Sequence, residues 1–104
     1  MSHYRITLYI PSAEEKSEHH IEQSMIGFSS IAGGASRQDI HGAWLMKDGA
    51  LCTEPVAMIS SIVSDDTLPK ATALARTVAQ DIKVSLHQEA VLVTVDEVKQ
   101  FMLV

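Results

Sequence analysis

Apolar residues along this chain switch between two-residue and helical spacing four times, and that alternation limits the folds open to it. Tyr4, Ile6, Leu8 and Ile10 fall on one side of an alternating segment, with Arg5, Thr7 and Tyr9 on the other. This is the pattern of a strand with one buried face, and Pro11 ends it. Ile21, Met25 and Phe28 then recur at helical spacing, opposite Glu14, Glu15, Lys16, Glu18, His19 and Glu22. Ser12 and Glu15 stand at the separation of a capping box, in which serine oxygen and glutamate carboxylate each satisfy a free amide of the first turn. The spacing predicts a helix that ends near Gly27, followed by loop to Ser36.

Two further runs, Gly42 to Lys47 and Ala50 to Cys52, flank Asp48-Gly49. Asp-Gly between apolar runs signals a hairpin, because a type I′ turn needs positive φ at both central residues. Pro55 interrupts the second arm and marks an edge position or a bulge. Val56 to Val63 resumes as a strand apolar on both faces, as a central strand is. Asp66 or Thr67 suits an N-cap and Pro69 the first turn of a helix whose stripe is Ala71, Leu74, Ala75, Val78, Ile82 and Leu86. Ala90 to Val95 reads as an internal strand. Glu97 to Val104 fits either a short helix after Asp96 or a terminal strand through Phe101 to Val104, with a strand or an extended arm packed on a partner the preferred reading.

The order is α+β: a ferredoxin-like βαββαβ plait, an antiparallel sheet with two helices on one face and an extra hairpin or C-terminal strand. At 104 residues it forms a single domain, 1–104. Helices on one face leave the other bare in a monomer. Tyr9 and some of Trp44, Leu45 and Met46 would lie there, so a homodimer or higher oligomer is expected.

A net charge of −5 and the absence of any Lys/Arg run argue against nucleic-acid binding, which runs on displaced counterions. No apolar run approaches the roughly 18 residues of a membrane span. The start of the chain has no signal-peptide pattern, and the single cysteine, Cys52, rules out an internal disulfide. The expected location is the cytoplasm.

Chemistry-bearing residues are few. His19 and His20 are adjacent in a helix and point about 100° apart. His41 and Cys52 lie near the hairpin, but so few ligands at such spacing make no metal site, and none is expected. Cys52, in an apolar strand with Glu54 two residues on, reads as structural rather than nucleophilic. Gly33-Gly34 follow a helix and precede a strand, the reverse of a phosphate loop, so they read as a flexible connection rather than an anion cradle. Glu54 and Glu89 stand at strand ends, where partial burial would make either a general base. The plainer reading, and the preferred one, is that each carboxylate ties down loop amides or pairs with Arg37 or Lys47. Trp44, the only tryptophan, reads as a core or interface anchor, or as a ligand platform.

As a set, Ala32-Gly33-Gly34-Ala35-Ser36, His41-Gly42-Ala43-Trp44, Asp48-Gly49, Glu54-Pro55-Val56 and His87-Gln88-Glu89-Ala90-Val91-Leu92 resembles a group of small uncharacterised bacterial and phage-associated proteins. Their pattern is a Gly-Gly-Ala-Thr loop, a Gly-x-Trp strand, a glycine turn, a glutamate and a closing Gln-Glu-Ala/Ser-Val-Leu; Ser36 stands here for the usual threonine. The resemblance implies a ferredoxin-like fold and ranks Gly33, Gly34, Trp44, Glu54, Gln88 and Glu89 as ligand-binding positions. It carries no activity or cofactor. A more distant likeness is to PII-type regulators, without their nucleotide-binding loop. Three functions follow as expectations. The first is a small oligomeric binding or regulatory module. The second is a plait-dimer enzyme using Glu54 or Glu89 as base, with His41 or His87 as accessory acid. The third is a structural protein with a protein partner.

Overall fold

The computed structural model describes residues 2–104. Six elements follow one another: β1 (His3–Pro11), α1 (Ser17–Ala32), β2 (Ser36–Leu45), β3 (Leu51–Ser64), α2 (Leu68–Ser85) and β4 (Val93–Val98). The strands form one sheet in the order β2-β3-β1-β4 with every neighbouring pair antiparallel. This is the expected ferredoxin-like plait.

Parity along the strands sorts the two faces of the sheet. Ile6, Leu8 and Ile10 of β1 and Ala57, Ile59 and Val63 of β3 are buried beneath the helices. Phe28 and Ile21 of α1 and Ala71, Ala75, Val78, Ala79 and Ile82 of α2 complete the core. The intervening residues, including Arg5, Thr7, Tyr9, Met58, Ser60 and Ile62, lie on a face that no helix covers.

Several expectations are corrected. The first helix does not stop at Gly27 but runs to Ala32, with Gly33 at φ 87° as its left-handed cap, its N–H donating to Ser29 O at 2.9 Å. Gly27 is a packing residue. A Cβ there would stand 2.7 Å from Leu74 Cδ2, so the missing side chain lets α2 close on α1. The capping box does not form. The Ser12 N–H donates to Pro55 O at 3.0 Å, and α1 begins at Ser17 with no side-chain cap. Among the described residues, the buried Ser17 Oγ has no hydrogen-bond partner.

β2 begins six residues before the predicted Gly42, at Ser36. The two predicted arms on either side of Pro55 are one strand, β3. In a strand, one residue's N–H and C=O point to the same side. Because Pro55 O accepts from Ser12, the proline's missing donor faces a side where β1 has already ended, its last pair being Pro11↔Val56. The Asp48-Gly49 turn is not type I′. Only Gly49 has positive φ, at 87°, and the Gly49 N–H donates to Met46 O at 2.9 Å. The Met46 N–H also donates to Ala50 O at 2.9 Å, which leaves Lys47-Asp48-Gly49 as a three-residue loop with glycine in the left-handed position. β4 starts at Val93 rather than Ala90 and is an edge strand, not an internal one. Residues 99–104 are neither helix nor strand. Phe101 lies edge-on to His3, with ring centroids 4.4 Å apart.

The end of α2 holds an unusual backbone. His87 has φ 52°, and the Gln88 N–H donates to Lys83 O at 3.0 Å, a Schellman motif with histidine where glycine is usual. That conformation costs a side-chain-bearing residue roughly 1–2 kcal/mol. His87→Gly is therefore expected to raise stability by about 1 kcal/mol, measured as a higher urea midpoint at unchanged slope.

His20 is buried between the helices, and its imidazole titrates below the ordinary value of 6.5. The main cause is desolvation; neighbouring His19 adds to it and Asp81 partly opposes it. The unfolded chain thus takes up this proton more readily than the folded one. The associated stability is complete above about pH 6.5 and is lost as pH falls from there towards the lowered folded value. Tm is expected to drop between about pH 8 and about pH 5.5, and to drop less in His20→Gln.

Candidate functional site

The bare face of the sheet carries a row of hydroxyls. Ser36 pairs with Ser60, Ser60 with Thr7 and Thr7 with Thr94, so one hydroxyl residue comes from each of the four strands in a single line across the sheet. Thr7 Oγ1 and Ser60 Oγ share a hydrogen bond of 2.9 Å. Thr7 is only 2% exposed although no helix lies above it. The next row is Ile62, Arg5 and Asp96; the row on the other side is Gln38, Met58 and Tyr9. Arg5 and Asp96 are register partners, yet among the described residues neither has an ion pair.

Apart from Thr94, the residues of these rows floor an open groove of about 900 Å³. Gly33 and Gly34 form part of its wall and Leu103 reaches it from the C-terminal segment. The wall is tied to the sheet: the Ser61 hydroxyl donates to Gly34 O at 2.6 Å. The start of β2 is tied to α1 by Arg37, whose guanidinium makes two bonds to the Glu18 carboxylate, at 3.0 and 3.2 Å, and one to Asp39 at 3.1 Å. Arg37 is thus engaged with Glu18 and Asp39, not with Glu54 or Glu89.

The residues ranked from the sequence fall in three places. Gly33 and Gly34 rim the groove. Trp44 and Glu54 lie far from it, on the outer half of the β2–β3 ribbon. Eight residues separate Ser36 from Trp44, about 27 Å of strand. Trp44 pairs with Cys52 and Gly42 with Glu54, so Trp44, Cys52 and Glu54 share one face of the ribbon, while His41, opposite Pro55, is on the other. His41 and Cys52 are therefore not brought together. Trp44 is 46% exposed and is not a core residue. Gln88 and Glu89 sit on the connection from α2 to β4, where the Gln88 side-chain amide donates to Leu86 O at 3.2 Å and Glu89 is exposed. Glu54 is half-buried. Among the described residues no group of three or more His, Cys, Asp or Glu side chains converges as a metal site, and no helix is long and apolar enough to cross a membrane.

Sequence reasoning missed Arg5, Thr7, Ser60, Gln38, Thr94 and Asp96. Alternation placed Arg5 and Thr7 on the outward side of β1. The strand register that aligns them with the other hydroxyls is a long-range property with no local signal.

Fold and groove together define a small α+β plait with a polar cleft on its bare face. No family model matches the chain, and no curated protein matches it. Solved structures with the same fold include a Bacillus cereus protein related to NIF3, at 12% identity and TM-score 0.67, covering 95% of this chain. This chain spans only 26% of that protein. B. subtilis GlnK, a PII-like protein solved in complex with ATP, is similar at 14% identity and TM-score 0.64 over 93% of this chain and 82% of its own. A phage SAM lyase in complex with S-methyl-5'-thioadenosine is similar at 17% identity and TM-score 0.59, over 91% and 81% of the two chains. At such identities the likeness is one of fold.

Proposed function

We propose that this chain is a small self-associating binding or regulatory module that holds a nucleoside-type ligand against the bare face of its sheet. The observation that carries the reading is the line Ser36, Ser60 and Thr7 on the floor of the groove, beside Arg5 and Asp96, which have no ion pair among the described residues. Hydroxyls donate and accept, and so match ribose and base edges; a guanidinium without a carboxylate partner matches an anionic group. The choice of ligand class is supported by two proteins of the same fold, solved with ATP and with S-methyl-5'-thioadenosine. Gly33 and Gly34 act as its wall. Trp44, Glu54, Gln88 and Glu89 reach such a ligand only from another copy or after movement of the ribbon.

Native mass spectrometry of the purified protein, followed by thermal shift with ATP and S-methyl-5'-thioadenosine, tests the reading. The expected result is a retained mass or a rise in Tm, lost in Arg5→Ala and weakened in Thr7→Val. An oligomer that retains nothing and shows no shift with either compound or a broad metabolite set overturns the ligand half of the proposal. A monomer at all concentrations overturns the other half.

A further inference from the structure

The ribbon made by β2 and β3 outruns the sheet. Five register pairs, His41↔Pro55 through Leu45↔Leu51, lie past Pro11↔Val56, where β1 stops. At roughly 3.4 Å per residue this projects about 17 Å. A two-stranded ribbon with neither a third strand nor a helix against it is at best marginally stable in water. Its tip is also strongly apolar. Trp44 and Met46 are about half exposed, and Leu45 and Leu51 are 73% and 66% exposed. Such a tip calls for a cover.

The opposite end of the chain carries a matching hollow. An apolar pocket of about 410 Å³ opens beside the start of β1, lined by Ile31, Ala32, Ile62, Val63, Phe101 and Leu103. Leu103 lines it while remaining 91% exposed. Ser64 and Thr67 also line it, their hydroxyls 3.3 Å apart. An indole needs an apolar slot for its ring and an acceptor for its N–H, and this pocket holds both. The tip cannot reach the hollow of its own chain. Four residues of ribbon and eight of β1 separate the two levels, about 40 Å.

We infer that the hairpin tip of one copy seats Trp44 in the Phe101–Leu103 pocket of a second copy. The convex and concave halves are different patches of one chain, so the contact is made either twice across a two-fold axis, tip for pocket in both directions, or head-to-tail around a closed ring. The pocket shares Ala32, Ile62 and Leu103 with the polar groove. The incoming indole therefore stands at the lip of the groove and becomes part of its wall. This inference rests on the self-association proposed above.

Trp44 is the only tryptophan, so its emission reports this contact directly. The measurement is the emission spectrum with native mass, in wild type, Leu103→Glu and Val84→Glu. Val84 is 77% exposed on α2, away from both patches, and gives the same added charge. Neither substitution touches the core of the single chain. Wild type is expected to be oligomeric with blue-shifted emission. Leu103→Glu is expected to lose mass and shift to the red, with Val84→Glu unchanged. An oligomer whose emission is the same in Leu103→Glu as in wild type overturns this contact and leaves self-association standing. Equal loss in Val84→Glu also overturns it. A wild-type monomer with water-like emission removes both readings.

Discussion

Phe28→Ala is expected to destabilise the fold by about 3–5 kcal/mol, the range for deleting a fully buried aromatic side chain. Phe28 heads the fully buried residues by size and sits on the sheet-facing side of α1 with Ile21. The loss has two parts: the transfer of the ring out of water, and the contacts its neighbours lose when the space does not collapse. Collapse is resisted here because the opposite wall is a sheet, whose Ile6, Leu8 and Ile59 are held by strand register. Against a typical domain stability of about 5–15 kcal/mol, the variant should be partly unfolded at physiological temperature. Urea unfolding followed by circular dichroism reads the effect. A cost below about 1 kcal/mol would mean that α1 does not pack on the sheet through this residue.

Ala75→Leu tests the same core from the other direction and is expected to cost about 1–3 kcal/mol through overpacking. Ala71, Ala75 and Ala79 repeat every four residues on the buried face of α2, and Ala71 and Ala75 have no exposed surface at all. Alanines this completely covered mean that the helix lies close to what it packs on, with no room for three more carbons without moving backbone. Leucine and alanine have similar helix propensity, so a loss of stability reports packing and not the helix itself. An unchanged urea midpoint in Ala75→Leu would show that α2 can lift from the sheet without penalty.

Much of this architecture is visible in the sequence because it is encoded locally. The alternation in Tyr4–Ile10 and the stripe from Ala71 to Leu86 each bury one face, and each yields the observed element. What failed was governed by contacts distant along the chain. Gly27 looks like a helix stop until Leu74 is seen packed against it. Ser12 and Glu15 have capping-box spacing, but the Ser12 amide is already taken by Pro55. Pro55 looks like a break because nothing local says that β1 has ended beside it. The start of β2 was hidden because an edge strand exposed on both faces, Ser36-Arg37-Gln38-Asp39, has no apolar alternation. The groove was hidden for a related reason. Gly33 and Gly34 stand out by residue type, whereas Thr7, Ser60, Ser36 and Thr94 are ordinary strand residues that register alone places in one row.

The place of β4 has a consequence for how the molecule is made. β1 lies between β3 and β4, so it waits for β4, about ninety residues further along, before both its edges are paired. During synthesis β1 can join β3 as soon as Ser64 is available, but its other edge remains open until Val93–Val98 has been made. An open edge on an apolar strand is a template for pairing with another chain. Crowded nascent chains of this protein would therefore meet each other first along β1, on the side that β4 later occupies.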